Sequence, residues 1–258
     1  EVLLSNILKK ERRYLYVEFD KPLLPQELTS FREALKKRVA KQSVAYILVN
    51  KECLGLEFKV TPAVVMQRPD TEILVEQALK LLSKYEKPRS VDIGTGSGAI
   101  AVSIAKLSPT AVTGVAVDIS PEALAVAKEN AEKLAVSEKL EFVLGNLCEP
   151  LKGAKFTALL SNPPYIPNAD IASLAPEVKN EPYLALAGGA EGLDCYIELI
   201  QQGRHLLIDG GFMMFEVGIN QAQSVAEIAR QYEDLEVWEI IKDYGGIDRV
   251  VVIGKRES

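Results

Sequence analysis

Val91-Asp92-Ile93-Gly94-Thr95-Gly96-Ser97-Gly98-Ala99 is the stretch that decides what kind of fold this chain adopts. Val91-Asp92-Ile93 reads as a short buried strand, and the helical pattern of Ser97 to Leu107 follows it. Glycines between the two let the backbone turn sharply and let a ligand approach with no Cβ in the way. Val112 to Val117 forms the next strand, and Asp118 closes it twenty residues after Gly98. A carboxylate at that point can accept hydrogen bonds from both hydroxyls of a ribose. Gly94, Gly96 and Ala99 also satisfy the G-x-G-x-x-A form of a dinucleotide fingerprint. The loop and Asp118 alone therefore suit an NAD-type site and an S-adenosylmethionine site equally well. A glycine-rich turn without a ligand is the weakest of the three readings.

Outward from this unit, strands and helices alternate. Ser120-Pro121-Glu122 opens a helix to Ala135 with a capping residue and a first-turn proline. Leu140 to Leu144 and Phe156 to Leu160 are strands, and Leu193 to Leu207 is a helix stopped by Gly210-Gly211. Phe212 to Val217 is a strand, Gln221 to Tyr232 a helix, and Leu235 to Ile241 and Val250 to Ile253 are closing strands. This order implies a mainly parallel sheet covered on both faces, with the last two strands antiparallel neighbours. Upstream, Asp70 or Thr71 is expected to cap a helix through Ile73, Leu74, Ala78, Leu81 and Leu82. Residues 1 to about 45 read as helical, with Leu28, Phe31, Leu35 and Val39 as one apolar stripe and Lys36-Lys37-Arg38 on a solvated face. Tyr46-Ile47-Leu48-Val49 and then Leu54-Gly55-Leu56-Glu57-Phe58-Lys59-Val60 follow, and the alternation suggests a strand that is half of a hairpin. We divide the chain into a helical domain over 1–50, cut short at its start, a hairpin connector over 51–67 and the α/β domain over 68–258.

Composition narrows the function. The chain has 258 residues, 48% hydrophobic and 26% charged, in the range of a globular protein. Its net charge of −6 provides no global field for nucleic acid. Cys53, Cys148 and Cys195 stand far apart, which suggests neither a zinc site nor a disulfide framework and fits a reducing cytoplasm. The lone histidine, His205, has no triad around it, no metal site is expected, and no apolar run is long enough to span a membrane.

The chemistry points to Ser161-Asn162-Pro163-Pro164-Tyr165, directly after the strand Phe156 to Leu160. Two successive prolines continue neither a ladder nor a helix, so Asn162 sits at the strand's carboxyl edge, where open α/β sheets bind ligands. The Asn162 side-chain oxygen and the Pro163 carbonyl make two acceptors on a rigid turn, suited to holding a planar NH2 group by both hydrogens. Tyr165 can lie against the plane of that group. After the third strand, Asn146 and Leu147 are placed to meet an adenine. A hydride-transfer enzyme has no need of an NH2 clamp, whereas a methyltransferase acting on nitrogen does.

Taken together, the chain resembles the class I S-adenosylmethionine-dependent methyltransferases. More closely it resembles the glutamine methyltransferases that modify peptide-chain release factors, the HemK/PrmC family. The resemblance rests on Arg68-Pro69-Asp70-Thr71-Glu72, Asp92 to Gly98, Asn162-Pro163-Pro164-Tyr165, Glu181-Pro182 with Ala185-Leu186 and Gly188-Gly189, and Asp243-Tyr244-Gly245 with Arg249. It implies a seven-stranded Rossmann-like sheet whose last strand is antiparallel, with a small N-terminal helical domain that helps recognise the protein substrate. It implies S-adenosylmethionine bound by Gly94, Thr95, Gly96, Ser97, Gly98, Asp118, Asn146, Leu147 and Asn162. The glutamine amide would be held by Asn162, Pro163, Pro164 and Tyr165, with Asn162, Pro163 and Tyr165 catalytic. A release factor is the expected partner, with no direct nucleic-acid binding, no membrane and a monomeric state. Asn146 and Lys179-Asn180 depart from the family pattern. The rival readings are an adenine methyltransferase acting on nucleic acid, and a cofactor-binding module without chemistry that docks on release factors or ribosomes.

Overall fold

Hydrophobic alternation builds the central sheet of the computed structural model, which describes residues 1–257. Four helices come first: α1 (Val2–Leu8), α2 (Tyr14–Val17), α3 (Pro25–Val39) and α4 (Val44–Leu48). A hairpin of β1 (Asn50–Cys53) and β2 (Leu56–Lys59) follows, then α5 (Pro69–Leu82). The α/β part runs β3 (Arg89–Ile93), α6 (Ala99–Leu107), β4 (Thr113–Asp118), α7 (Pro121–Lys133), β5 (Leu140–Leu144) and β6 (Phe156–Ser161). It ends with α8 (Asp194–Gly203), β7 (Leu207–Glu216), α9 (Ala222–Arg230), β8 (Leu235–Lys242) and β9 (Asp248–Lys255). The seven-stranded sheet has the order β5-β4-β3-β6-β7-β9-β8, and β9 runs antiparallel to both of its neighbours, as expected of the last strand.

Successive residues of the inner strands face opposite layers. Leu159, Met213, Phe215, Val251 and Ile253 meet Tyr196, Leu199 and Ile200 of α8 and Val225, Ala226 and Ala229 of α9. Ala158, Leu160, Phe212, Met214, Val250 and Val252 meet Leu74, Ala78 and Leu82 of α5 and Ile104 of α6. Both faces are thus covered, and the strand ends are left for function.

Tyr46 to Leu48 is helical, with Ser43 capping α4 by accepting the Tyr46 N–H, and the partner of the Leu56–Lys59 strand is the polar Asn50–Cys53. Three local readings change. Arg68 is the N-cap of α5, without a side-chain bond, so Asp70 and Thr71 lie inside the first turn with their side chains free to act elsewhere. α8 ends at Gly203, and β7 runs through Gly210-Gly211 with a register shift against β6, helped by the positive φ of Gly210. Leu35 and Val39 on α3 face solvent, while Ala34 takes the buried position. No helix among the described residues is long and apolar enough to cross a membrane.

Candidate active site

β3 stops at Ile93, and the chain turns through Gly94 and Gly96, with φ of 71° and 56°. A Cβ on either would meet nothing within 4 Å, so both present bare backbone on an open face. The Asp118 carboxylate accepts the Gly96 N–H on Oδ2 at 2.8 Å and the Ser120 N–H on Oδ1 at 2.9 Å, tying the ends of β3 and β4 together. Burial pushes this carboxyl above its ordinary value, opposed by those bonds. Thr95 and Ser97 turn inward: Thr95 Oγ1 donates to Asp92 Oδ2 at 2.6 Å, and Ser97 Oγ lies against Gln67 Nε2. Asp92 is 2% exposed, its pKa is raised by burial to about 7, and its Oδ1 has no partner among the described residues. Beyond β5 stand the exposed Asn146 and the half-buried Leu147, and the Gly145 N–H donates to the Asp118 carbonyl at 3.0 Å.

The elbow leaves β6 beside the glycine loop. Ser161 pairs in register with Ile93 and donates from Oγ to the Ile93 carbonyl at 2.6 Å, which sets Asn162 next to that loop. From behind, Ile166 N–H donates to the Leu186 carbonyl at 3.0 Å and Gly188 N–H to the Ile166 carbonyl at 2.9 Å. Gln221 Nε2 donates to the Tyr165 carbonyl at 2.9 Å. A Cβ at Gly188 would lie 2.8 Å from the Pro164 oxygen, so only glycine lets the two segments touch. Asn162 Nδ2 faces Thr71 Oγ1 at 3.4 Å, long for a hydrogen bond. No donor of the described residues reaches Asn162 Oδ1 or the Pro163 carbonyl.

The motif residues that sequence left without a role converge here. Arg68 pairs with the buried Glu181 at 3.0 Å, and Glu72 Oε1 accepts the Leu54 N–H of the hairpin turn at 3.2 Å. Arg249 bridges Asp70 at 3.2 Å and Asp243 at 3.0 Å. Thr71 Oγ1 donates to Glu216 Oε2 at 2.6 Å. Sequence reading passed over Glu216, although an acid closing an apolar strand is the same signal that picked out Asp118. The bare loop, Asp118, Asn146 and the Asn162 elbow occupy the carboxyl ends of the adjacent strands β3, β4, β5 and β6, along one edge of the sheet. Among the described residues no group of His, Cys, Asp and Glu is placed to hold a metal.

A Rossmann-like sheet of this order, with bare backbone and an amide-bearing elbow at its carboxyl edge, has the architecture of a methyltransferase. A methyltransferase from Pyrococcus furiosus shares the fold at a TM-score of 0.59 and 16% identity, over 87% of this chain and 99% of that one. The Methyltransferase small domain model matches residues 69–179, and the PrmC N-terminal domain model matches residues 1–48. The release factor glutamine methyltransferase of Moorella thermoacetica is 40% identical over 100% of this chain and 91% of its own length. That of Geobacter sulfurreducens is 42% identical over 97% of this chain and 87% of its own. Likeness of this extent makes the chain a member of the release factor glutamine methyltransferase family.

Proposed function

We propose that this enzyme transfers a methyl group from S-adenosylmethionine to the side-chain amide nitrogen of the glutamine in the Gly-Gly-Gln motif of peptide-chain release factors, in the cytoplasm. The observation that carries the reading is the state of the elbow. The Asn162 nitrogen is turned toward Thr71 Oγ1, while its oxygen and the Pro163 carbonyl accept no hydrogen bond from the described residues. Two free acceptors beside a cofactor loop complement the two hydrogens of a carboxamide.

The same edge of the sheet also fits the cofactor. Open faces at Gly94 and Gly96 admit a close approach of the ligand, and the unpartnered Asp92 Oδ1 offers an acceptor to a cationic group. Asp118 would take the ribose hydroxyls, Asn146 and Leu147 would flank the adenine, and Gly98 would seat the loop on its helix. Thr95 and Ser97 would act through backbone, because their side chains brace the loop from inside. The cofactor, when bound, supplies an electrophilic methyl on a sulfonium. An amide nitrogen is a poor nucleophile because its lone pair is delocalised into the carbonyl. Asn162 and Pro163 would pin its hydrogens and hold the nitrogen in place, and Pro164 and Tyr165 would close the elbow around it. Positioning of this sort supplies up to roughly 7–11 kcal/mol of a barrier.

The test is labelled S-adenosylmethionine with a release factor, with and without its Gly-Gly-Gln glutamine replaced. Label should depend on that glutamine; label that persists without it, or that goes to nucleic acid, counts against the reading. Asn162→Ala should leave cofactor affinity nearly unchanged and lower turnover by ~10²-fold or more, as for loss of one preorganised polar group. Near-normal turnover in that variant would remove the clamp from the mechanism.

A further inference from the structure

Asn162 can act as an acceptor only if its amide is turned the right way, and the two ends of a carboxamide have nearly the same shape. The surroundings break this tie. With Glu216 ionised, as it is above about pH 7, Thr71 gives its single hydroxyl hydrogen to Glu216 Oε2 at 2.6 Å. Toward Asn162 the Thr71 oxygen can therefore only accept, which demands the nitrogen end at 3.4 Å. A flipped amide would set its oxygen against an oxygen with no hydrogen to give, next to a carboxylate. Thr71 and Glu216 are each 2% exposed, so water does not substitute for either partner. Rigid elements hold both: Thr71 lies in the first turn of α5, and Glu216 closes β7 one residue beyond Phe215, which pairs with Ser161 of the elbow strand.

We propose that Glu216, acting through Thr71, is a positioning residue that locks the sense of the Asn162 amide, so that its oxygen and not its nitrogen meets the substrate nitrogen. The proposal rests on the glutamine-methylating function above and adds to it the element that makes the clamp single-valued. Neither residue touches the reacting atoms. Glutamine at 216 could offer its own NH2 to Thr71, which would free the Thr71 hydrogen for the Asn162 oxygen and permit the wrong sense.

The experiment uses the whole chain with a purified release factor and measures kcat, KM for the factor, and cofactor Kd by calorimetry. Thr71→Val, which keeps the shape and removes the hydroxyl, should lower kcat about tenfold or more, with KM and cofactor Kd within about threefold, as expected for one lost orienting hydrogen bond. Thr71→Ser, which keeps the hydroxyl, should stay within about threefold of the parent in kcat. Glu216→Gln should reproduce the kcat loss with KM unchanged, and it decides alone if Thr71→Val does not fold. Parental kcat in folded Thr71→Val and Glu216→Gln, alongside an inactive Asn162→Ala, overturns the positioning role and leaves the function standing. Equal losses in Thr71→Ser and Thr71→Val overturn it too, because packing and not the hydroxyl would then be at work. A parent protein that methylates no glutamine overturns the function and this proposal together.

Discussion

Asp92 and Glu216 stand at the carboxyl ends of two strands, and both are carboxyls buried to 2% exposure. Burial raises each to about 7, beyond what the Thr95 hydroxyl and Ala101 N–H recover at Asp92 and the Thr71 hydroxyl and Asn162 amide recover at Glu216. The native state therefore holds a proton on each up to about pH 7, whereas the unfolded chain loses them near pH 4. Their contribution to stability is fully present below about pH 4 and is lost as pH rises through about 7, after which it is flat. The melting temperature should accordingly fall between about pH 5 and pH 8 by an amount that Asp92→Asn reduces. Calorimetric scans across that window check it; an identical slope in the variant would mean that Asp92 ionises normally in the native state. A fold that keeps two such groups gives up stability at neutral pH for acceptors set at the strand ends.

Helix α6 depends on a glycine for a reason distinct from ligand approach. Gly98 has φ 82°, and a Cβ there would lie 3.1 Å from both Ala127 Cβ and Val102 Cγ2, so it sets how closely α6 and α7 pack. Gly98→Ala should destabilise by roughly 1–3 kcal/mol, a drop of several degrees in melting temperature. Gly153 shares φ 82° but has nothing within 4 Å of its missing Cβ, so Gly153→Ala should lose less, and the difference between the two measures the helix contact. Equal losses would assign the whole cost to backbone strain. Elements like these were readable because their signals are local: an apolar run between polar ends, a glycine loop, Ser120 before Pro121. Gly210-Gly211 misled because glycines break a strand pattern in sequence yet form a bulge inside β7. Leu35 and Val39 misled because helical spacing cannot say which of two faces the rest of the chain will cover. The site shows the same division. Asp118, Asn146 and Asn162 each stand at or just past the end of their own strand and could be placed there from sequence, whereas the Thr71–Glu216 bond spans 145 residues and neither end names its partner.

Across the whole molecule, the helical start is joined to the sheet edge by the segment between the elbow and Gly188. Arg38 of α3 reaches Glu177 at 3.0 Å, so the predicted solvated face is only partly free, and Asn180 Nδ2 donates to the Lys41 carbonyl at 3.1 Å. Glu181 next to them is held by Arg68, and Gly188 then touches the elbow backbone. Lys179-Asn180 lies within this link, and Asn180 uses its amide to grip the helical domain. The Arg38–Glu177 pair is half-exposed, and a pair of that kind contributes little to folding and is screened by salt. Its effect should appear in how the protein substrate is presented. Glu177→Arg, which sets two cations against each other, should leave melting temperature, cofactor affinity and kcat at saturation almost unchanged while raising KM for the release factor by roughly 3–10-fold, the scale of about 1 kcal/mol. The rise should shrink in high salt, where the repulsion is screened. Steady-state kinetics at low and high ionic strength decide it: an unchanged KM, or a fall in kcat with KM intact, would show that the helical domain is not positioned through this link.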